Sequence, residues 1–298
     1  MHESTGARLG VRSFERRRAR GRSPALARFL RHRLAVLGSV TVLLLILSAA
    51  LAPAITLRNP LYISLVDRFT PPLHGMYWLG ADEVGRDLLT RLIYAGRISL
   101  TVGFAAMIVS AVIGTIVGTS ASFRGGTLDS LFMRLTDVAF SFPSIFLLLL
   151  LAAFIPPSVL SITLIIGFTS WMATARLVRG QVLSLLQRDF VEAARAGGST
   201  DLRIIMRHIL PNSTAPIVVA ATLNVADAIL AGSYVSFLGY GIQPPLASWG
   251  NMLNNAQSFF TRAPWLVYAP GAAIAVTVWC LFTLGDGLRD AFDPRSVK

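Results

Sequence analysis

Charged side chains are sparse between residue 34 and the carboxyl end, and many of them fall in one segment, residues 187–212, which reads QRDFVEAARAGGSTDLRIIMRHILPN. The first half has apolar residues at helical spacing and predicts a short amphipathic helix. Gly197 and Gly198 should end it, because glycine adopts positive φ at little cost. Two short helices around a glycine hinge would form a rigid protruding element to which another protein could bind.

The second half of the segment predicts another short helix. Ser199 or Thr200 is expected to cap it, and Asp201 would place a negative charge in its first turn. Arg203 lies among its charged positions, and Pro211 is expected to end it because proline cannot extend the hydrogen-bond ladder.

Other candidates for chemistry are isolated in apolar runs. Asp227 is a lone intramembrane acid, and it is either functional or a hydrogen-bonded acid between helices; both interpretations stay open. Arg134 and Asp137 have i,i+3 spacing and could pair on one helix face, for a structural or a transport role. The four histidines are scattered and Cys280 is the only cysteine, so neither a metal site nor an intrachain disulfide is indicated. No histidine inside a span accompanies Ser233 and Ser236, which argues against an intramembrane protease.

Long apolar runs dominate the 298 residues, of which 54% are hydrophobic and 14% charged. Such runs have the length of bilayer-spanning helices. They predict an all-α polytopic membrane protein with six spans, at about 34–57, 98–123, 131–154, 158–177, 215–237 and 265–284. Pro143, between Ser141 and Ser144, is expected to interrupt the third span. Gly114 and Gly118 should let the second span approach another helix closely.

The net charge of +12 comes largely from arginines before the first span. Their position, with little aromatic interleaving, favours a cytoplasmic tail close to anionic lipid over nucleic-acid binding. An internal amino terminus and six spans put both termini and residues 187–212 in the cytoplasm. A signal peptide cleaved near Pro53 is the alternative to a retained first span, although the apolar run is longer than is usual for one.

A phosphate-binding loop of the type G-x-x-x-x-G-K-[ST] requires a lysine, and the only lysine is Lys298, so this chain is not expected to bind ATP in that way. If ATP drives this protein, the ATPase must be another polypeptide, and the chain itself is expected to be no enzyme and to bind no cofactor.

Three segments together resemble one family. Residues 187–212 are similar to the EAA loop of bacterial ABC importer permeases, with Glu192, Ala193, Ala194, Gly198, Leu210 and Pro211 in register. His208 departs from the general pattern, which has isoleucine there, but the sequence RHILPN resembles the peptide-importer branch. The segments Met76–Leu100 and Ser236–Leu253 are similar to the C-type permeases of dipeptide, oligopeptide and nickel importers.

This resemblance implies a type I ABC importer permease fold with a cytoplasmic EAA-type coupling-helix loop, in a bacterial inner membrane. The chain would then divide into a basic tail (1–33), a first span with an extracytoplasmic segment (34–97), and a permease core (98–298). The residues expected to couple to the ATPase are Glu192, Ala193, Ala194, Gly198, Asp201, Arg203, Leu210 and Pro211, and Asp227 is a candidate for the substrate pathway.

The same resemblance implies a homologous second permease, two cytoplasmic ATPase domains that bind ATP and Mg²⁺, and an extracytoplasmic substrate-binding protein. Di- or oligopeptides are the expected cargo. Nickel or another small solute remains an alternative cargo. An ATP-independent secondary transporter and a structural membrane scaffold remain alternative functions.

Overall fold

A computed structural model describes residues 24–56 and 58–292, and this part of the chain is mostly helical. The first 23 residues, which hold most of the basic tail, lie outside the described residues. The helices are α1 (Pro24–Arg31), α2 (Arg33–Ala50), α3 (Ala52–Ile55), α4 (Leu88–Arg124), α5 (Gly126–Phe140), α6 (Ser144–Phe154), α7 (Val159–Leu186), α8 (Asp189–Ala196), α9 (Asp201–Ile204), α10 (Leu210–Phe237), α11 (Trp249–Ala256) and α12 (Trp265–Phe292).

Five helical units of the described chain are long and apolar enough to cross a membrane: α2, α4, α7, the continuous Asp201–Phe237 unit and α12. The pair α5 and α6, bent by 87°, makes a sixth if it is one span. The predicted interruption around Pro143 is therefore confirmed. Several helices are longer than predicted, since α4 begins at Leu88 and α7 continues to Leu186.

The first span packs against the last one with almost no space between them. A Cβ atom on Gly38 would lie 2.5 Å from Thr283 Oγ1 and 2.8 Å from the carbonyl oxygen of Cys280. Close backbone approach of this kind is how helices associate in lipid. This packing favours a retained span over a cleaved signal peptide.

Helices α4 and α7 make an equally close contact at the predicted glycine pair. A Cβ on Gly114 would lie 2.8 Å from the carbonyl oxygen of Trp171, and one on Gly118 would lie 2.5 Å from that of Ala175. Both glycines are buried. The contact fixes the position of α7, whose carboxyl-terminal end leads directly into residues 187–212.

Ion pairs across helices tether α5 to α7, and the prediction that Arg134 pairs with Asp137 is wrong. Asp137 forms an ion pair with Arg176 of α7. Arg179 of α7 donates from Nε and Nη2 to the two carboxylate oxygens of Asp129, each at 2.6 Å. The guanidinium of Arg176 also lies 4.4 Å from the centre of the Phe140 ring. The sequence spacing on α5 suggested a local pair, but a cation from another helix reaches the carboxylate instead.

Asp82 organises the segment that precedes α4. Its carboxylate accepts hydrogen bonds from the backbone N–H groups of Val84 and Arg86, at 3.0 and 2.9 Å, and from the side chains of Arg86 and Arg91. Arg86 and Arg91 thus both form ion pairs with Asp82. Asp87 instead caps α4 by accepting from the N–H of Thr90 at 2.8 Å.

The other segment that resembles the permeases packs against this one. The Trp249 indole N–H donates to the carbonyl of Leu92 at 3.1 Å, and the Trp249 backbone N–H donates to Ser99 Oγ at 3.1 Å. Helix α11 begins with a capping box between Ser248 and Asn251. The predicted loop between the fifth and sixth spans is therefore a folded, helical element that packs on α4.

We predict that Asp82→Ala lowers the free energy of unfolding by about 3–5 kcal/mol, because it leaves the buried Arg91 cation without a partner. The side chains of Asp82 and Arg91 are 2% and 6% exposed. Thermal unfolding of the detergent-purified protein measures the change. Glu83→Gln is the control: Arg86 keeps its bond to Asp82 when the Glu83 contact at 3.2 Å is weakened, so less than about 1 kcal/mol is expected. Equal losses in both variants would contradict the role of Asp82.

Candidate coupling site and intramembrane cavity

Residues 187–212, called the coupling segment below, fold into two short helices separated by the expected glycine turn. Gly198 has φ +76°, a left-handed conformation that glycine adopts freely. The N–H of Ser199 donates to the carbonyl of Ala194 at 3.0 Å and closes the end of α8. Thr200 precedes α9, but its side chain makes no capping hydrogen bond. Thr200 is therefore the N-cap residue, as predicted, without a capping side-chain bond, and the break lies where the sequence placed it.

The second helix does not end at Pro211, contrary to the prediction. A π-helical turn, Ile205–Ile209, joins α9 to α10, and the N–H of Leu210 donates to the carbonyl of Ile205, five residues back. Pro211 then lies in the first turn of α10, where a missing N–H is tolerated. The Asn212 side-chain amide donates to the carbonyl of His208 at 2.6 Å. The coupling segment is thus continuous with the fifth span.

A compact apolar cluster fixes the coupling segment to the end of α7. Val191 of α8, Ile204 of α9 and Ile209 of the π turn are fully buried. They pack with Val178, Val182 and Leu185 of α7. The Arg195 guanidinium lies 5.7 Å from the centre of the Phe123 ring at the end of α4. The segment is therefore held by side chains from both of its helices.

The residues predicted to couple to an ATPase divide into two groups by exposure. The exposed group is Glu192, Ala193, Gly198, Asp201, Arg203 and Pro211, whereas Ala194 and Leu210 are half-buried. Ala194 packs against the apolar cluster just described. The structure thus separates residues available to a partner from residues that position the segment.

An exposed apolar face of the coupling segment was not singled out from the sequence. Leu202 is 69% exposed, Met206 60% and Phe190 41%. Leu202 and Met206 are four residues apart and share one helix face, while Ile204 and Ile209 face the cluster. The sequence does contain a signal for this face, because Leu202 and Met206 are apolar residues at i,i+4 spacing on the side of the helix away from the buried isoleucines.

A cavity of about 620 Å³ lies between α7, α10 and α12. Its polar lining includes Asp227, Asn224, Thr174, Gln181 and Arg289. The side-chain amide of Asn224 donates to Thr174 Oγ1 at 2.9 Å. Within the described residues Asp227 forms no hydrogen bond and no ion pair, which disfavours its interpretation as a hydrogen-bonded acid between helices of this chain.

Comparison with known proteins gives the family. Residues 110–298 match the model described as binding-protein-dependent transport system inner membrane component. The chain belongs to this family. Residues 23–72 of this permease also match the model described as N-terminal TM domain of oligopeptide transport permease C.

Relatives of this permease are similar over nearly their whole length. The oligopeptide transport system permease protein OppC of Bacillus subtilis (strain 168) is 36% identical over 274 residues, which cover 92% of this chain and 90% of the relative. OppC of Escherichia coli (strain K12) is 40% identical over 273 residues, with 91% and 90% covered. The dipeptide transport system permease protein DppC of Alkalihalophilus pseudofirmus is 39% identical over 271 residues, with 91% and 89% covered.

Among solved structures, a chain of the MetNI methionine ABC transporter in an inward-facing conformation aligns with a TM-score of 0.56. It is 18% identical, and the alignment covers 69% of this chain and 98% of that one. At this identity the likeness shows the fold alone. The prediction of an all-α, type I ABC importer permease fold is confirmed.

We predict that Ile204→Ala loosens the coupling segment without preventing membrane insertion. Removing a fully buried isoleucine side chain costs about 2–5 kcal/mol of local packing. Hydrogen exchange of residues 189–209 should therefore become faster by at least about tenfold. The matched control is Leu202→Ala, which truncates an exposed side chain on the same helix. Faster exchange in the control than in Ile204→Ala would contradict the assigned packing.

Proposed function

We propose that this permease forms half of the translocation pathway of an ATP-driven importer of di- or oligopeptides. The observation that carries the proposal is the construction of the coupling segment. Its outer face presents Leu202 and Met206 to a partner, while its second helix continues without a break into α10. The names of the relatives, which are oligopeptide and dipeptide permeases, support the class of cargo.

Two cytoplasmic ATPase domains, which bind ATP and Mg²⁺, are the proposed partners of the coupling segment. Glu192, Asp201 and Arg203 would supply polar contacts on the outer face, and Gly198 the turn between the two helices. A homologous second permease would complete the pathway as a heterodimer. An extracytoplasmic substrate-binding protein would deliver the peptide. Membership of this family argues against the alternatives of a secondary transporter and a structural scaffold.

The proposed location of this permease is a bacterial inner membrane, with both termini in the cytoplasm. The cytoplasmic assignment of the coupling segment rests on its arginines, which follow the positive-inside rule. Because the segment is buried against α7 through Val191 and continuous with α10, closure of two ATPase domains would displace α7 and α10 together. Tilting of these spans would change access to a pathway between the two permeases.

Two variants of the coupling segment test the proposal. We predict that Glu192→Lys and Gly198→Pro lower the rate of ATP-driven uptake by at least about tenfold, equivalent to about 1.4 kcal/mol in the activation barrier, while the complex still inserts and hydrolyses ATP. Lysine reverses the charge of an exposed contact, and proline cannot adopt the φ of +76° at Gly198. Uptake and hydrolysis are measured on the same proteoliposomes.

The matched controls for these variants are Glu192→Gln and Gly198→Asn. Glutamine keeps the shape of the side chain, and asparagine tolerates positive φ. A Cβ at position 198 meets no atom within 4 Å, so asparagine fits without a clash. Proline is excluded by the positive φ, and it also removes the N–H of residue 198, which donates to the carbonyl of Arg195 at 2.9 Å. Normal uptake in Glu192→Lys and Gly198→Pro, or equal loss in all four variants, would count against the coupling role.

Membrane orientation gives a separate prediction. In a Cys280→Ala background, a cysteine at Ser199 should react with a membrane-impermeant maleimide only from the cytoplasmic side, and a cysteine at Leu73 only from outside. Leu73 is 79% exposed in the segment before α4. The reverse labelling pattern in intact cells and inverted vesicles would refute the proposed topology.

A further inference from the structure

The position of Asp227 along α10 requires an explanation. It lies ten residues before the end of the helix at Phe237, which corresponds to about 15 Å at 1.5 Å per residue. That is about the middle of a hydrocarbon core of ~30 Å. Its side chain is exposed on the surface of this chain. A carboxylate at this depth faces protein or a water-filled cavity rather than lipid.

The cavity of about 620 Å³ provides that environment. Its two charged groups, Asp227 and Arg289, lie at different levels, that is, at different positions along the axes of the helices. Leu223 of α10 is level with Gly285 of α12, since a Cβ on Gly285 would lie 2.6 Å from Leu223 Cδ2. The two helices run antiparallel, so Arg289 is level with residue 219. Eight residues of helix therefore separate Asp227 from Arg289, or about 12 Å along the axis.

Polar groups continue between these two ends of the cavity. Thr174 of α7 is level with Asn224, to which it is hydrogen-bonded. By the same antiparallel register, Gln181 of α7 lies close to the level of Arg289. Arg289 forms no ion pair with any carboxylate in the described part of the chain. Counting only partners among residues 24–56 and 58–292, the cavity thus has an acid without an ion pair near mid-membrane and a base without an ion pair towards the end of α12.

This arrangement is complementary to a zwitterion of defined length. An extended peptide advances about 3.3–3.6 Å per residue, so 12 Å corresponds to roughly three or four residues. Hydrogen bonds to an ammonium group or to a carboxylate are charge-assisted, and such bonds are roughly twice as strong as those between neutral groups. The amide of Asn224 and the hydroxyl of Thr174 offer polar partners along the way.

We propose that this cavity is an intramembrane stopping place for a short peptide. The carboxylate of Asp227 accepts hydrogen bonds from the peptide's amino-terminal ammonium group, and Arg289 faces its carboxylate. The inference rests on the proposed peptide transport and adds a site and an orientation to it. The competing occupant of Asp227 is a basic side chain of the second permease, and the experiment separates the two.

The test uses the reconstituted complex of both permeases, the ATPases and the binding protein. Tripeptides or tetrapeptides carry p-benzoylphenylalanine at either the first or the last residue, and are irradiated during uptake. We expect the first-residue probe to label α10 within about one turn of Asp227, and the last-residue probe to label residues around Arg289. Asp227→Asn should reduce labelling by the first-residue probe about tenfold, and Asp227→Glu should restore it to within about threefold.

The following outcomes would count against the inference. Unchanged labelling in Asp227→Asn, or labelling confined to other helices while the complex imports peptide, would overturn it. Loss of the second permease from the Asp227→Asn complex, detected by size-exclusion chromatography, would assign Asp227 to the interface between permeases. A wild-type complex that assembles and hydrolyses ATP but imports no peptide would refute the proposed function itself, and the peptide site with it.

Discussion

The contact between α4 and α7 is the constraint on which the rest of the structure depends. Lipid supplies little hydrophobic drive for helix association, so close packing and hydrogen bonds must hold the spans together. Gly114 and Gly118 leave no room for a side chain against the α7 backbone. Ser122 Oγ donates to the carbonyl of Gly118 at 2.6 Å and lies 3.2 Å from that of Arg179. The contact continues to the end of α7, where the coupling segment packs.

Two different attachments connect the coupling segment to the spans. Val191 fixes α8 to α7 through buried apolar contacts, whereas α9 is joined to α10 by the backbone itself. In the proposed mechanism a force on the exposed Leu202 would reach α10, which carries Asp227, through one continuous helical unit, Asp201–Phe237. The ion pairs of Arg176 and Arg179 link α7 to α5 as well. The coupling segment thus contacts or continues into α7 and α10, two of the three helices that line the cavity.

The sequence was sufficient for the features that depend on local chemistry. Apolar runs located the spans, Pro143 located the bend, and Gly198 located the turn between α8 and α9. The sequence was insufficient where a feature depends on a residue far away in the chain or on an unusual backbone conformation. Asp137 pairs with Arg176, which is 39 positions away, and not with Arg134, and a π turn lets the helix continue past Pro211. The exposure of Leu202 and the cavity at Asp227 likewise depend on tertiary packing, which periodicity does not reveal.

The most direct test is uptake of a labelled peptide into proteoliposomes that contain this permease, the second permease and the ATPases, with the binding protein and peptide on the outside. The account predicts uptake that requires ATP on the ATPase side, requires the binding protein, and stops when either permease is left out. Peptide uptake by this chain alone, driven by an ion gradient and indifferent to ATP, would contradict it.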